Sequence, residues 1–344
     1  MKKSILFLGL CMLALNANAQ TFGGKANTAN KAKDTNVEMA KPKEEMGLIK
    51  PHPLLSMAIP EHFNFDDYLT NNIKTQNGEK LNCKEQNDVV VCVDKNQKPF
   101  TGIANGSDSK LKLTSQANYQ NGMLNGLSRI MYDNNKVAFE AKYINGKREG
   151  VAVGYSRLGP KQSETHYKNG KKDGRHILYY LTGIKTVEMT FKNDKAEGTA
   201  RSWHPNGKLQ SQALFVNNLM EGNVTSYYPH GKIAYQEVYK NGKRNGVVKH
   251  YEENTGKMDI EAPYVDGKIH GALKIYDNGK IIFKTDYEND VANGEYIGYN
   301  DNGTISMSAT VINGKLEGMA KVFDDYGKLK SIEYYKDGEA VDHP

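Results

Sequence analysis

The stretch YKNGKRNGVVKHYEENTGK, Tyr239 to Lys257, sets Gly242, Gly246 and Gly256 among lysines, much as a phosphate-gripping loop would. How often it recurs decides how it is read. Tyr119, Tyr143, Tyr167, Phe191, Phe215, Tyr239, Tyr264, Tyr287, Val311 and Tyr335 stand 24, 24, 24, 24, 24, 25, 23, 24 and 24 residues apart. Nine full units and part of a tenth fit this period, and self-similarity at a fixed spacing signs a repeat architecture.

Three residues after each of these positions stand Gly122, Gly146, Gly170, Asp194, Asn218, Gly242, Gly267, Asp290, Gly314 and Gly338, each preceded by Asn or Asp, from Asn121 to Asp337. Only residues that tolerate positive φ are used there. Such pairs between strand-like runs predict tight hairpins. A second turn follows the second aromatic of each unit, as in WHPNG, YYPHG and YNDNG. YEENTG is one residue longer than usual and YDNG one shorter, yet the next unit's first aromatic, Tyr264 or Tyr287, still follows each glycine by eight residues. Length varies only at the turn, because a one-residue slip in a strand would turn every side chain to the other face.

Two strands per unit lie between the turns. In KIAYQEVY, Ile233, Tyr235 and Tyr239 face one way and Lys232, Ala234, Gln236 and Val238 the other, the half-buried antiparallel alternation. On the other strand Tyr155, Tyr179, Trp203, Tyr227, Tyr251, Tyr276, Tyr299 and Phe323 form one column, with Met131 in the earliest unit. The expected fold class is all-β: an elongated antiparallel β-hairpin meander of about ten 24-residue repeats, continuous from about Cys83 to Val341. The glycine seven residues into each unit, from Gly126 to Gly318, predicts a bulge or close backbone packing. A phosphate loop needs GxxxxGK followed by Ser or Thr, and no copy is found. The lysines after the first turn, such as Lys147, Lys171, Lys243, Lys268 and Lys315, are expected to keep the rim of the sheet soluble.

The pattern YKNGKxxGxxxxYYxNGKxxxxxxY resembles the MORN-repeat variant of bacterial proteins, including the YwqK-type antitoxin family, from roughly Phe100 to Gly338. That resemblance implies MORN-like repeats forming an antiparallel sheet that binds partners, membranes or other copies of itself, with no catalytic centre. The antitoxin family would imply neutralisation of a toxin protein.

Ahead of the repeats, MKKSILFLGLCMLALNANAQ carries Lys2 and Lys3, an apolar run from Ile5 to Leu15 and the small-x-small triplet Ala17-Asn18-Ala19. It reads as a signal peptide, residues 1–19, and an eleven-residue apolar run is too short to span a bilayer. Residues 20–60 read as a disordered or tethering segment. Residues 61–99 read as an N-terminal hairpin element, in which HFNFDDYL, His62 to Leu69, is a candidate docking piece, and residues 100–344 as the repeat domain. Without Lys2 and Lys3 the formal charge falls from +6 to +4, 44 basic against 40 acidic residues, which does not argue for nucleic acid. No segment of the mature chain is apolar enough to cross a membrane as a helix. The expected location is the periplasm, the cell surface or the medium.

Export places Cys83 and Cys92 of LNCKEQNDVVVCVD in an oxidising compartment. With Asn87-Asp88 as a two-residue turn, Gln86 pairs with Val89 and Cys83 falls opposite Cys92 at a non-hydrogen-bonded position, where a disulfide fits. A redox pair or metal ligands are the alternatives.

His166, His176, His204, His230, His250 and His270 share no column, so they read as scattered surface residues and not as a metal site. Glu140, Glu164, Glu188 and Glu261, with Gln212 and Gln236, do share one. A glycosidase needs two acids facing each other in a cleft. The column is expected instead on the face opposite the aromatics, solvated and partnered by lysines. No catalytic, cofactor-binding or metal residues are assigned, and no cofactor is expected. The candidate partner-binding residues are the aromatic column Tyr155, Tyr179, Trp203, Tyr227, Tyr251, Tyr276, Tyr299 and Phe323, since flat rings with polar tips suit proteins, sugars and other sheets. The reading is a non-enzymatic exported scaffold with a protein partner or a second copy of itself, or an envelope glycan. A toxin-neutralising protein and a glycan hydrolase are the rival classes.

Overall fold

A computed structural model describes residues 65–71 and 73–342. The expected signal peptide, residues 1–19, and the segment 20–60 lie outside the described residues. The chain divides into two compact units, which among the described residues run over 65–231 and 232–342.

The first unit is an antiparallel meander in which Gly102–Asp108, Leu113–Gln120, Gly126–Tyr132, Val137–Ile144 and Lys147–Tyr155 pair in order. Lys161–Lys168, Lys171–Tyr179, Lys185–Lys192, Gly198–Trp203, Leu209–Val216 and Leu219–Tyr227 continue it. The second unit repeats the plan from Ile233–Lys240 to Glu339–Val341. The all-β hairpin meander read from the sequence is the architecture found.

Local chemistry explains the plan. The ten Asn or Asp residues that open the first turn of each unit have φ between 48° and 54°, and the residue after each is also at positive φ, the geometry of a type I′ hairpin. The turns also bond to one another: Gly146 N–H donates to the Leu124 carbonyl at 2.8 Å, Gly170 to Arg148 at 2.9 Å and Asp194 to Lys172 at 2.9 Å. The expected bulge falls at the repeated glycine. Four residues from Gln236 to Tyr239 face six from Lys249 back to Arg244, so two extra residues sit around Gly246. Gly246 is at φ +137°, and a Cβ there would stand 2.9 Å from Val238 Cβ, so glycine alone fits. Lys147, Lys171, Lys243, Lys268 and Lys315 are exposed on the rim, as expected.

One face of each sheet is buried. In the first unit Tyr143 opposes Arg148, Phe191 opposes Ala196 and Phe215 opposes Met220, all on this inner face toward the Asn-Gly turns. Small residues fill its centre: Ala200 opposes Ala213, and Ser202 opposes Ser211 with their hydroxyls 2.6 Å apart. Tyr143, Phe191, Phe215, Ala200 and Ala213 are all buried, and burying each large ring contributes on the order of 2 kcal/mol.

At the start of the first unit a helix, Phe65–Thr70, lies over this inner face and overlaps the stretch expected to dock, His62 to Leu69. Phe65 stacks on Phe139 with centroids 4.0 Å apart, Leu69 is fully buried and its carbonyl accepts from the Tyr119 hydroxyl. Asp66 accepts from the Tyr143 hydroxyl and pairs with Arg148 at 3.0 Å, and the guanidinium also lies over the rings of Phe139 and Tyr167.

The disulfide Cys83–Cys92 is present, with Cα atoms 3.9 Å apart and the register read from the sequence, Gln86 opposite Val89. Asn87 and Asp88 both take positive φ, the two-residue turn that register requires. The hairpin is not, however, a member of the meander that was expected to begin at Cys83. Asn82–Gln86 and Val89–Val93 form a sheet of their own. The hairpin sits on the rim instead, where Cys92 N–H donates to the Gly122 carbonyl at 2.7 Å. The edge position in the meander goes to Ile73–Thr75, which pairs with Gly102–Asp108.

Candidate functional site

The outer face of each sheet carries the aromatic column. Tyr155, Tyr179, Trp203 and Tyr227 in the first unit, and Tyr251, Tyr276, Tyr299 and Phe323 in the second, are each half-buried. Plain alternation puts them there, since Arg244 points inward opposite Tyr239, which leaves His250 inward and Tyr251 outward.

The acidic column shares this face, contrary to the expectation that it lies opposite the aromatics. The Tyr155 hydroxyl donates to Glu140 at 2.9 Å, the Tyr179 hydroxyl to Glu164 at 2.9 Å and the Tyr251 hydroxyl to Gln236 at 2.5 Å. Register is the reason: Glu140 and Glu164 both stand opposite Val153, two residues from Tyr155 on the same strand and therefore on the same side.

Cations complete the outer face. Glu140 pairs with Arg129 at 3.2 Å, Glu164 with Lys161, Glu188 with Lys185 and Arg175, each at 2.6 Å, and Glu261 with Lys274 at 2.8 Å. The hydrogen bond from Lys161 holds the Glu164 carboxyl below its ordinary value, against the effect of burial. Burial raises Glu188, and the bonds from Lys185 and Arg175 outweigh it, leaving it low as well. Burial, with the bond to Glu164, pushes Tyr179 up to about 12. Glu164 and Glu188 are therefore held in the ionised form at neutral pH, and the carboxylates of this column accept hydrogen bonds, which suits them for holding a partner's donors. The Lys185 ammonium lies 5.7 Å from the Trp203 ring centre, a cation–π contact that fixes the indole.

The second member of each aromatic pair has a different job, which the sequence did not disclose. The Tyr132 hydroxyl donates to the Tyr155 carbonyl at 2.8 Å, Tyr180 does the same to Trp203 at 3.2 Å, and His204 Nε2 lies 2.8 Å from the Tyr227 carbonyl. Lysines of the second turn also bridge units, with Lys136 Nζ donating to the Leu158 carbonyl at 2.6 Å and Lys208 Nζ to His230 at 2.7 Å. These side chains lock one repeat to the next. The hint was their recurrence beside the turn.

Two inner-face groups carry buried polar atoms, and the first departs from the sequence reading. His176 is buried, not on the surface; its Nδ1 is 2.8 Å from Thr165 Oγ1, its ring meets Phe191 edge-on and its Nε2 has no hydrogen-bond partner. In the second unit the buried Glu237 pairs with Arg244 at 2.7 Å, and Arg244 lies over the Tyr264 ring. Burial raises the Glu237 carboxyl despite that partner. Among the described residues no group of His, Cys, Asp and Glu could hold a metal ion, and no helix is long and apolar enough to cross a membrane.

The MORN repeat variant family matches residues 196–217, 220–241 and 316–337, each a turn-centred piece of the 24-residue unit. The chain carries MORN-variant repeats at these three positions. No curated protein matches it. Among solved structures it is similar to choline binding protein F from Streptococcus pneumoniae in the presence of a peptidoglycan analogue, at 12% identity over 76% of this chain and 96% of that one, with a TM-score of 0.17. It is also similar to alternansucrase in complex with isomaltononaose, at 18% identity over 76% of this chain and 18% of that one, TM-score 0.17. A third is TcdB2-TccC3-TEV, at 12% identity over 75% and 16%, TM-score 0.17. The chain thus spans less than a fifth of the latter two proteins. Likeness at this level carries neither an activity nor a ligand across.

Proposed function

We propose that this chain is an exported, non-enzymatic interaction scaffold that binds a macromolecular partner through the outer aromatic face. The observation that carries the reading is the row of half-buried rings, Tyr155, Tyr179, Trp203 and Tyr227, repeated at one position of successive units and flanked by carboxylates already held in ion pairs. Aromatic side chains with an apolar face and a polar tip are favoured at interfaces, and tryptophan most of all at their energetic centres. Carboxylates tied in ion pairs are poor general acids at neutral pH, which supports binding over hydrolysis. The Cys83–Cys92 disulfide supports an oxidising compartment, and with it export. Cleavage after Ala19 would leave Gln20 as the mature N-terminus, which intact-mass measurement of the envelope protein reads directly.

Trp203→Ala tests the face. The mature chain, immobilised against an envelope fraction of its own organism and also run in sedimentation velocity, is expected to lose its bound partner or its self-association in the variant. Unchanged capture and unchanged sedimentation, with the β-sheet circular dichroism intact, would leave the rings a structural role only.

A further inference from the structure

The outer face of the first unit has a period of its own, and that period selects a class of ligand. Tyr155, Tyr179, Trp203 and Tyr227 each end a strand, and one strand lies between each ring-bearing strand and the next. Two steps of strand spacing put successive rings ~9.6 Å apart, so four rings cover about 29 Å. We propose that this row binds an extended β-1,4-linked polysaccharide running across the strands, one disaccharide to each repeat unit. The inference rests on reading the outer face as a binding surface and names the ligand for it.

In an extended β-1,4-linked chain each sugar is turned over relative to the last, so every second sugar presents the same apolar C–H face, and a disaccharide advances by close to the ring spacing. Every second sugar can therefore stack on an aromatic ring without strain accumulating along the row. An extended peptide presents like-facing side chains every ~6.7 Å, two residues of about 3.3 Å each, and falls out of step with the rings at once.

A polyproline helix repeats every ~9.3 Å and keeps step, so spacing alone does not reject it. Hydrogen-bond chemistry does. Polyproline offers carbonyl acceptors and no N–H, so it answers only the cations of this face and leaves its carboxylates without a donor, whereas a sugar hydroxyl both donates and accepts. Here the Tyr155 and Tyr179 hydroxyls are already given to Glu140 and Glu164. Beside the rings the face offers cations and acceptors together: the carboxylates of Glu140, Glu164 and Glu188, paired with Arg129, Lys161 and Arg175, and the amide oxygen of Gln212, which accepts from Arg201 Nε at 2.7 Å. A carboxylate has about four lone-pair sites, so one already in an ion pair still accepts from a sugar hydroxyl. Sugars carry donors on nearly every carbon, and stacked rings flanked by acceptors are what such a surface needs.

The test uses the mature chain against chitin and cellulose as insoluble β-1,4-linked glycans, amylose as a helical α-linked glucan, and poly-L-proline. Soluble chito-oligosaccharides of rising length are titrated by calorimetry. Binding to chitin or cellulose at least tenfold tighter than to amylose and poly-L-proline is expected, with affinity rising until the oligosaccharide spans the row. Trp203→Ala and Tyr179→Ala should each lower that affinity at least tenfold, whereas Tyr179→Phe keeps the ring and should hold it within about threefold. Retained circular dichroism and an intact Cys83–Cys92 bridge certify folding of each variant. Equal or tighter binding to amylose or poly-L-proline, no binding to either β-1,4-linked glycan, or unchanged affinity in both alanine variants would overturn the proposal. If Trp203→Ala still abolishes capture of an envelope partner while no β-linked glycan binds, the ligand assignment falls and the binding face stands. If it alters neither, both fall.

Discussion

His176 should make the first unit sensitive to mild acid. Burial, reinforced by the nearby Lys172 ammonium, pulls its imidazole down to about 4 from an ordinary 6.5. Between those values an unfolded chain takes up a proton that the folded ring refuses, so unfolding gains ground as the pH falls from 6.5 to 4 and gains nothing further below. The gap of 2.5 units corresponds to about 3 kcal/mol at full extent. His176→Gln removes the titration and keeps an acceptor for the Thr165 hydroxyl. Urea unfolding at pH 7.5 and pH 4, followed by the fluorescence of Trp203, reads the first unit, because Trp203 is the only tryptophan in the chain. The wild type should lose about 3 kcal/mol more than His176→Gln between the two pH values. Parallel losses would mean that His176 is protonated in the folded state near its ordinary value, and the account of its burial would be wrong.

Glu237→Gln takes away the carboxylate that pairs with Arg244 in the inner face of the second unit and should cost about 3 kcal/mol, whereas the double replacement Glu237→Leu with Arg244→Met should recover most of it in urea melts. Gly246→Ala, at φ +137° with Val238 in the way, should cost about 2 kcal/mol in the same assay, while Gly222→Asn, at φ +74° with open space around it, should cost under about 1 kcal/mol. Thiol titration of denatured, unreduced protein should find neither Cys83 nor Cys92 free. Replacing both by Ser opens a loop of nine residues' separation, worth about 2.5 kcal/mol to the hairpin, and should speed hydrogen exchange at position 92, whose N–H joins the hairpin to the Gly122 carbonyl on the rim.

The turns were legible because they are local. An Asn-Gly pair dictates its own φ angles, a period of 24 residues copies them, and the register of a two-residue turn is enough to place Cys83 opposite Cys92. The relation between columns on neighbouring strands is another matter, since alternation orders faces only within one strand. Tyr239 and Tyr251 belong to one unit yet point to opposite faces. That outcome hangs on the bulge at Gly246, where two extra residues keep the alternation in phase and one would have reversed it.

The sequence alone therefore determined the all-β meander, its repeat, its turns and its disulfide. The tertiary structure decided that acids and rings share the outer face, because that depends on pairing across strands. It also decided that Asp66 of the short helix meets Arg148, 82 residues away, and that His176 lies buried. Contacts between distant segments leave no period in a chain to be read, and whether a polar side chain keeps its water depends on which segments fold over it.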